Sequence, residues 1–304
     1  MRVLITGAGG FVGPHLTRAL QAAGHEAVGL GRKLALDIDV TDARATAAAF
    51  AKVKPDAVVH LAGMSSVSEC AKDPMRALQV NAGGTLSVMQ AVLGLKAPCR
   101  VLLVSSGEVY GAAAGSAPID ESALPDPVNV YGATKRAAEV IALQHAHQGL
   151  DVVIARPFNH IGAGQTPTFV MPSFAQQLMR VAPGEQVTLE VGNLSAVRDF
   201  SHVEDIVAGY LVLLERGTRV QIYNLASGVG RTIESMLLSL VAESGRHAAL
   251  RVDPARLRPI DTPVLIGAVE KLRQLGWAPA LPIERALGEL LHEMERAPLS
   301  GRLF

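Results

Sequence analysis

The sequence contains little cysteine and no excess of charge of either sign. Its 304 residues include two cysteines, Cys70 and Cys99, which lie far apart and form no CxxC pattern. This spacing argues against a disulfide framework or a thiolate metal site, so we expect no bound metal and a reducing, cytoplasmic location. The 28 basic and 28 acidic residues cancel, which argues against nucleic acid or a membrane surface as a partner. The composition favours a small-molecule partner.

Long apolar runs and a targeting segment are also missing. No stretch reaches the ~18 apolar residues of a membrane-spanning helix. The first residues, MRVLITGAGGFVG, are apolar, but glycines interrupt them and no cleavage site follows. They are predicted to form a strand and a turn of the mature protein rather than a signal peptide. We therefore expect a soluble protein.

Short apolar runs alternate with longer amphipathic segments over the first half of the chain. RVLITG, EAVGLG, DAVVHLAG, RVLLVSS and DVVIARP are hydrophobic almost throughout, and helical patterns separate them. This alternation predicts a doubly wound α/β fold, in which helices cover both faces of a parallel sheet. After Pro157, glycine and proline interrupt the rhythm and indicate a smaller mixed α/β substrate-binding lobe. We assign residues 1–158 and 197–222 to the large domain, and residues 159–196 and 223–304 to the smaller lobe.

The segment ITGAGGFVG places three glycines between a predicted strand and a predicted helix. Gly7 would allow the tight turn, Gly10 the approach of backbone to a pyrophosphate, and Gly13 close packing of the helix. Phe11 and Val12 open that helix, whose first N–H groups would face the anion. The spacing is GxxGxxG, and alone it also fits an ordinary glycine turn. Its position after the first strand predicts a dinucleotide-binding Rossmann domain.

The choice of dinucleotide depends on the end of the second strand, where an acidic residue would bind the ribose 2′-hydroxyl of NAD. Gly31 occupies that place and Arg32 follows it, so a 2′-phosphate could pair with the guanidinium. NADP(H) is therefore favoured, and NAD(H) stays an alternative because Arg32 could equally be a solvated loop charge. Asp39 and Val40 are expected near the adenine.

A hydroxyl, a phenol and an ammonium form a candidate catalytic group. Ser106 lies in VSSGEVYG, and Tyr131 and Lys135 lie four residues apart in YGATK, at a predicted helix start. The three can meet above the carboxyl ends of the strands. We expect Lys135 to lower the pKa of Tyr131, which then exchanges a proton during hydride transfer while Ser106 binds the same oxygen. A lone YxxxK would more often be a solvated helix start.

Over nearly its whole length the sequence resembles the extended short-chain dehydrogenases/reductases, the NAD-dependent epimerase/dehydratase family of nucleotide-sugar enzymes. The resemblance is carried by TGAGGFVG, HLAG, NAGGT, SSGEVYG, YGATK, RPFNHIG and VRDFSHVEDI. It implies that Ser106, Tyr131 and Lys135 are catalytic, that Tyr131 and Lys135 also contact the cofactor, and that Ser106 also contacts the substrate. It also implies a set of pocket residues: Leu61, Ala62, Gly63, Asn81 and Pro157 toward the cofactor, and Ser65, Asn159, Arg198 and Arg258 toward the sugar nucleotide. The alternative for Arg198 is a surface ion pair with Asp199 or Glu204.

Within this family, FNHIGAGQTPTFVMPSFAQQL and RPIDTPVLIGAVEKLRQLGW are similar to the reductases that convert GDP-4-keto-6-deoxy-D-mannose to GDP-D-rhamnose. The related GDP-mannose 4,6-dehydratases need additional acid/base groups. Gly107 has no side chain to protonate a leaving hydroxyl, but Glu108 occupies the place of the dehydratase base. Glu108 is therefore a candidate catalytic and substrate-binding residue, and the dehydratase stays open. The sequence also fits a 4-epimerase or a catalytically silent dinucleotide sensor, because fold does not dictate function.

The resemblance also implies a homodimer, since many members of the family dimerise through two long helices beside the sheet. Here these would lie around residues 75–95 and 133–148. Their apolar residues, among them Val80, Leu86, Val88, Val140 and Leu143, fit the core of a monomer equally well.

Overall fold

The computed structural model describes residues 1–31, 34, 36–115, 117–257 and 262–296. The helices are α1 Val12–Ala22, α2 Ala43–Val53, α3 Val67–Lys72, α4 Pro74–Leu78, α5 Gly84–Leu93, α6 Val130–His147, α7 Val170–Leu178, α8 Val203–Arg216, α9 Ile233–Ser244, α10 Glu270–Arg273 and α11 Ile283–Arg296. The strands are β1 Arg2–Thr6, β2 Glu26–Leu30, β3 Ala57–His60, β4 Arg100–Val104, β5 Asp151–Pro157, β6 Asn159–Ile161, β7 Gln186–Val191, β8 Val197–His202, β9 Ile222–Leu225, β10 Gly230–Thr232, β11 His247–Val252 and β12 Val264–Leu265. A π-helical turn, Gln79–Gly83, joins α4 to α5.

Among these residues, six parallel strands form the main sheet in the order β2-β1-β3-β4-β5-β9. Side chains alternate across a strand, so Val3 and Ile5 of β1 enter the core shared with α1 and α8, whereas Leu4 enters the core shared with α2, α5 and α6. Both faces of the sheet are thus covered, and the predicted doubly wound fold is confirmed. The strand order reverses beside β1, the kind of point at which open α/β sheets bind ligands.

The second lobe has short strands and a core of its own. Strands β6, β8, β10 and β12 form one sheet, and β7 pairs with β11. Residues of α7, α9 and α11, such as Phe174, Leu240 and Leu290, fill the core beneath them. The predicted domain boundaries stay a prediction. Because β8 belongs to the small sheet and β9 to the large one, the strands favour residues 203–225 over 197–222 for the second segment of the large domain.

Within the described parts of the chain, no helix is both long enough and apolar enough to cross a membrane. The same residues contain no group of three or more histidine, cysteine, aspartate or glutamate side chains placed to hold a metal ion. Cys70 and Cys99 are buried and carry free thiols.

Candidate active site

The glycine-rich loop between β1 and α1 is shaped for the close approach of a ligand. Gly7 has a φ of 70°, and a Cβ there would lie 2.7 Å from the backbone N and Cα of Ala62. A Cβ at Gly13 would lie 2.1 Å from the carbonyl oxygen of Ala8. Phe11, at the N-cap of α1, provides no capping hydrogen bond, which leaves N–H groups of the first turn available to an anion.

A cleft of about 1620 Å³ begins at this loop and runs between the two lobes. It passes over the carboxyl ends of the main strands, where loops of different strands converge. Its walls contain most of the residues predicted from the sequence: Gly7, Gly10, Phe11, Val12, Gly13, Asp39, Val40, Leu61, Ala62, Gly63, Ser65, Ser106, Glu108, Tyr131, Lys135, Pro157, Asn159 and Arg198. The structure therefore brings the cofactor, catalytic and substrate candidates together in one space.

Asn81 supports this cleft from below and is not among the residues that line it. Its side chain is buried, and its Oδ1 accepts a hydrogen bond of 2.8 Å from the backbone N of Met64. Its Nδ2 donates to the Met64 carbonyl oxygen at 3.1 Å and to Thr134 Oγ1 at 2.9 Å. Asn81 thus ties the loop after β3 to α6.

An ion pair that no sequence motif predicted lies at the expected adenine position. Arg76 Nη2 lies 2.8 Å from Asp39 Oδ2, and both residues line the cleft. The backbone N–H of Thr41 contributes most to lowering the pKa of Asp39, and the hydrogen bonds from the Thr41 hydroxyl and Arg76 lower it further. No sequence motif marks Arg76, because its position over the cleft depends on how α4 packs. Arg32, the residue predicted to recognise a 2′-phosphate, lies outside the described residues.

The catalytic candidates come from the end of β4 and the first turns of α6. Asn129 begins α6, since its Oδ1 accepts a hydrogen bond of 2.8 Å from the backbone N of Gly132. Tyr131 and Lys135 then follow on one face, with Lys135 buried at 6% exposure. The Lys135 ammonium donates a 2.5 Å hydrogen bond to the carbonyl oxygen of Val104.

One electrostatic prediction is wrong for this arrangement. Burial raises the pKa of Tyr131, because the phenolate loses hydration in the cleft; the hydrogen bond with Ser106 lowers the pKa, and the charge of Glu108 raises it. The predicted lowering by Lys135 is not among these causes. Burial also lowers the pKa of Lys135 to about 8, while the charge of Glu139 raises it.

Glu108 and Gly107 occupy fixed positions beside the phenol. Asn129 Nδ2 donates a 2.8 Å hydrogen bond to Glu108 Oε2, so the residue that caps α6 also orients this carboxylate. A Cβ at Gly107 would lie 3.1 Å from ring atoms of Phe158. A side chain at position 107 would therefore press on the Phe158 ring, and Gly107 itself adds no side chain to the cleft.

The far end of the cleft is lined by the second lobe. Asn159 lies at the start of β6, and Arg198 lies on β8 with 5% of its surface exposed. Arg198 is thus a buried residue of the cleft wall rather than a solvated surface charge. Arg256 also lines the cleft and lies 3.4 Å from Asp253. Arg258, the second predicted diphosphate ligand, lies outside the described residues, and the ARLR run that contains both arginines was the signal that could have identified Arg256.

Comparison with known proteins extends over both lobes. A family model described as the NAD dependent epimerase/dehydratase family matches residues 3–226. GDP-6-deoxy-D-mannose reductase of Pseudomonas aeruginosa is 38% identical over 298 residues, which cover 97% of each chain. GDP-6-deoxy-D-talose 4-dehydrogenase of Aggregatibacter actinomycetemcomitans is 29% identical over 90% of each chain. The solved structure of RMD from Pseudomonas aeruginosa complexed with NADPH has a TM-score of 0.86 and 34% identity, covering 97% of this chain and 99% of that one.

Proposed function

The chain belongs to the NAD dependent epimerase/dehydratase family, and we propose that it uses NADPH to reduce the C4 keto group of GDP-4-keto-6-deoxy-D-mannose, giving GDP-D-rhamnose. Family membership confirms the resemblance found in the sequence, and the chain is an enzyme of the short-chain dehydrogenase/reductase type. The observation that carries the specific proposal is that one cleft is lined by Ser106, Tyr131 and Lys135 together with the glycine loop and Arg198. The 38% identity to a GDP-6-deoxy-D-mannose reductase supports the choice of reaction.

The loop residues fit a bound dinucleotide. Gly7 and Gly13 leave backbone surfaces that a Cβ would fill, and the uncapped start of α1 supplies donors to a pyrophosphate. When bound there, NADPH supplies the hydride that C4 receives. NADPH is preferred to NADH in this proposal because a relative of similar fold is complexed with it and because Gly31 provides no carboxylate against a 2′-phosphate.

The protein supplies the proton and steadies the developing charge. Tyr131 donates its phenolic proton to the C4 oxygen as that oxygen becomes an alkoxide, and its raised pKa keeps the phenol protonated before the reaction. Ser106, hydrogen-bonded to the phenol, donates toward the same oxygen and stabilises its charge. Lys135 donates from its ammonium to the Val104 carbonyl oxygen and so holds the strand end that carries Ser106 against the first turns of α6.

The second lobe would bind the nucleotide diphosphate. Arg198 and Arg256 both line the far half of the cleft, and forked guanidinium donors match the oxygens of a diphosphate. Asn159, at the start of β6, lines the same cleft and would contact the bound sugar nucleotide. Binding here directs the sugar toward Tyr131.

A dehydratase is the second candidate, and Glu108 is the observation in its favour. Asn129 orients the Glu108 carboxylate in the cleft, as a base would require. Elimination also needs an acid for the leaving hydroxyl, and Phe158 packs against the position where Gly107 lacks a side chain. We therefore assign Glu108 to substrate hydroxyl binding. GDP-mannose converted to a 4-keto product without added NADPH would reverse this choice.

The predicted homodimer also belongs to the proposal. Val88 is buried in the core, whereas Leu86 and Val140 are 38% and 52% exposed on α5 and α6. Exposed apolar residues on these two helices are consistent with a helix-mediated dimer. Sedimentation equilibrium of the purified protein at micromolar concentration should give about twice the chain mass of 31.9 kDa. A monomer mass would remove the dimer and leave the reaction unaffected. The cytoplasmic location stays a prediction.

The function is tested by following NADPH absorbance in the presence of 4-keto-6-deoxy sugars carrying GDP, UDP, CDP or dTDP. We expect oxidation with the GDP sugar and a product identified as GDP-D-rhamnose by NMR. A preference for UDP or dTDP sugars would remove the GDP assignment. Tightly bound NAD with interconversion of C4 epimers would indicate an epimerase, and no oxidation with any keto sugar would favour the dinucleotide sensor.

A further inference from the structure

A fully buried carboxylate lies one helical turn beyond Lys135. Glu139 Oε1 accepts hydrogen bonds from Ser105 Oγ at 2.6 Å and from Arg156 Nε at 2.8 Å. Its Oε2 accepts from Arg156 Nη2 at 2.8 Å and from Arg136 Nη1 at 3.0 Å. Arg156 is itself 1% exposed. Four hydrogen bonds thus hold a carboxylate that the proposed reaction does not use.

Glu139 and Lys135 bind consecutive residues of one strand end. Lys135 Nζ donates to the carbonyl oxygen of Val104, and the next residue, Ser105, donates its hydroxyl to Glu139. Ser106, which hydrogen-bonds the phenol of Tyr131, comes directly after them. Residues i and i+4 share a helix face, so α6 fixes the strand end that carries Ser106 through both side chains.

We propose that Glu139 is a positioning residue that keeps the Lys135 ammonium charged and holds the end of β4 in register with α6. The inference rests on the proposed function, because it takes Lys135 as part of the catalytic group. Glu139 touches neither the substrate nor the cofactor space: it is absent from the lining of the cleft. Its effect must therefore pass through Lys135 and Ser105.

The other titratable groups that face Lys135 do not supply a negative charge at neutral pH. Burial lowers the pKa of His60, on β3, to about 3, which leaves the ring neutral. Burial raises the pKa of the Cys70 thiol, on α3, to about 11, and it also raises the pKa of Tyr131. Glu139 is ionised, because its hydrogen bonds and ion pair with Arg156 outweigh its burial and lower its pKa. Glu139 therefore opposes the loss of the Lys135 proton that burial favours.

The sign of the effect follows from the charges. With the Glu139 charge removed, the pKa of Lys135 loses the charge that raises it most, while burial still lowers it. The pKa of Lys135, about 8 with Glu139 present, then falls. A neutral Lys135 loses its charge-assisted hydrogen bond to the Val104 carbonyl oxygen, which loosens the strand end that carries Ser106, so activity is lost first at the alkaline side of the pH profile.

Glu139→Gln and Glu139→Asp form the matched test, since the first keeps the size and removes the charge, and the second keeps the charge and shortens the side chain. We measure kcat/KM for keto-sugar reduction between pH 6 and pH 9. For Glu139→Gln we expect the alkaline limb to move by about one unit or more to lower pH, with activity near pH 6 recovering toward that of the unmodified enzyme. For Glu139→Asp the limb should stay in place. A loss of equal factor at every pH in Glu139→Gln would overturn the proposal, because it would mark a structural role alone.

Arg136→Gln is a third variant for the same experiment, and it should fold normally because the Arg136 side chain is 34% exposed. Without the Arg136 cation, the negative charge of Glu139 acts more strongly on Lys135 and raises its pKa. The alkaline limb of the pH profile should therefore move to higher pH. An unchanged limb or a move to lower pH contradicts the inference, even if both Glu139 variants fail to fold.

NADPH binding separates this inference from the proposed reaction. The dissociation constant of NADPH, followed by nicotinamide fluorescence from pH 6 to pH 9, requires no sugar. If the enzyme reduces no keto sugar, the proposed function fails. The effect of Glu139 on Lys135 is still supported if NADPH binding weakens at alkaline pH and Glu139→Gln moves that weakening to lower pH. An identical pH dependence in the unmodified protein and in Glu139→Gln would refute it.

Discussion

The substitution Gly13→Ala tests whether the packing of α1 against the glycine loop is what makes the cofactor site. The added Cβ would lie 2.1 Å from the Ala8 carbonyl oxygen and 2.5 Å from the Ala8 carbonyl carbon. Atoms of this kind make contact at ~3.5 Å, so backbone must move. Overpacking of this type costs about 1–3 kcal/mol. In a chain of this size the melting temperature should fall by about 2–6 °C.

Gly83→Ala is the matched control, because it makes the same change on another helix. Gly83 has φ −65° and ψ −43°, and a Cβ there meets nothing within 4 Å. Replacing a helical glycine by alanine without a clash should stabilise the protein by about 0.5–1 kcal/mol. The same chemical change should therefore lower the melting temperature in Gly13→Ala and raise it in Gly83→Ala.

NADPH binding provides the second readout of the same pair. Movement of α1 displaces the N–H groups expected to bind the pyrophosphate, so Gly13→Ala should weaken NADPH binding by at least ~10-fold, or about 1.4 kcal/mol. Gly83→Ala should bind NADPH normally. Differential scanning fluorimetry with and without NADPH measures both effects. If Gly13→Ala melts and binds NADPH like the unmodified protein, the reasoning from the loop geometry is refuted.

Three further predictions concern the catalytic group and its supports. Tyr131→Phe should lower turnover by ~10²–10⁴ through loss of the proton donor while NADPH affinity stays nearly unchanged; full turnover would contradict the assignment. Burial lowers the pKa of His60 to about 3, so between pH 6.5 and pH 3 the unfolded chain binds a proton that the folded chain does not. Stability should therefore fall by about 2 kcal/mol from pH 7 to pH 5 on account of this residue, and urea denaturation of His60→Asn should show a flatter pH dependence; an equally steep one would exclude it. Asn129→Ala should lose about 1 kcal/mol of stability with the helix cap, whereas Asn129→Ser should keep the cap but not the reach to Glu108. Both should turn over more slowly, and unchanged turnover in the serine variant would show that orientation of Glu108 is unimportant.

The sequence alone was sufficient for the fold class, because its information is local. Apolar strands such as RVLIT and AVVH are buried on both faces, and a glycine loop directly after the first strand has few structural solutions. The catalytic candidates were also accessible, since Tyr131 and Lys135 are four residues apart on one helix. Ser106 required one further step, that the carboxyl ends of parallel strands share an edge.

The tertiary structure decided everything that depends on residues distant in the chain. Arg76 forms an ion pair with Asp39, which lies 37 residues away in the chain, and Glu139 on α6 accepts hydrogen bonds from Arg156 on β5. Neither spacing is a recognisable sequence motif. The pKa of Tyr131 rises rather than falls because the loss of hydration in the cleft depends on how closely the lobes surround it. A sequence determines which charges are available, and the fold decides which of them lose water and which meet a partner.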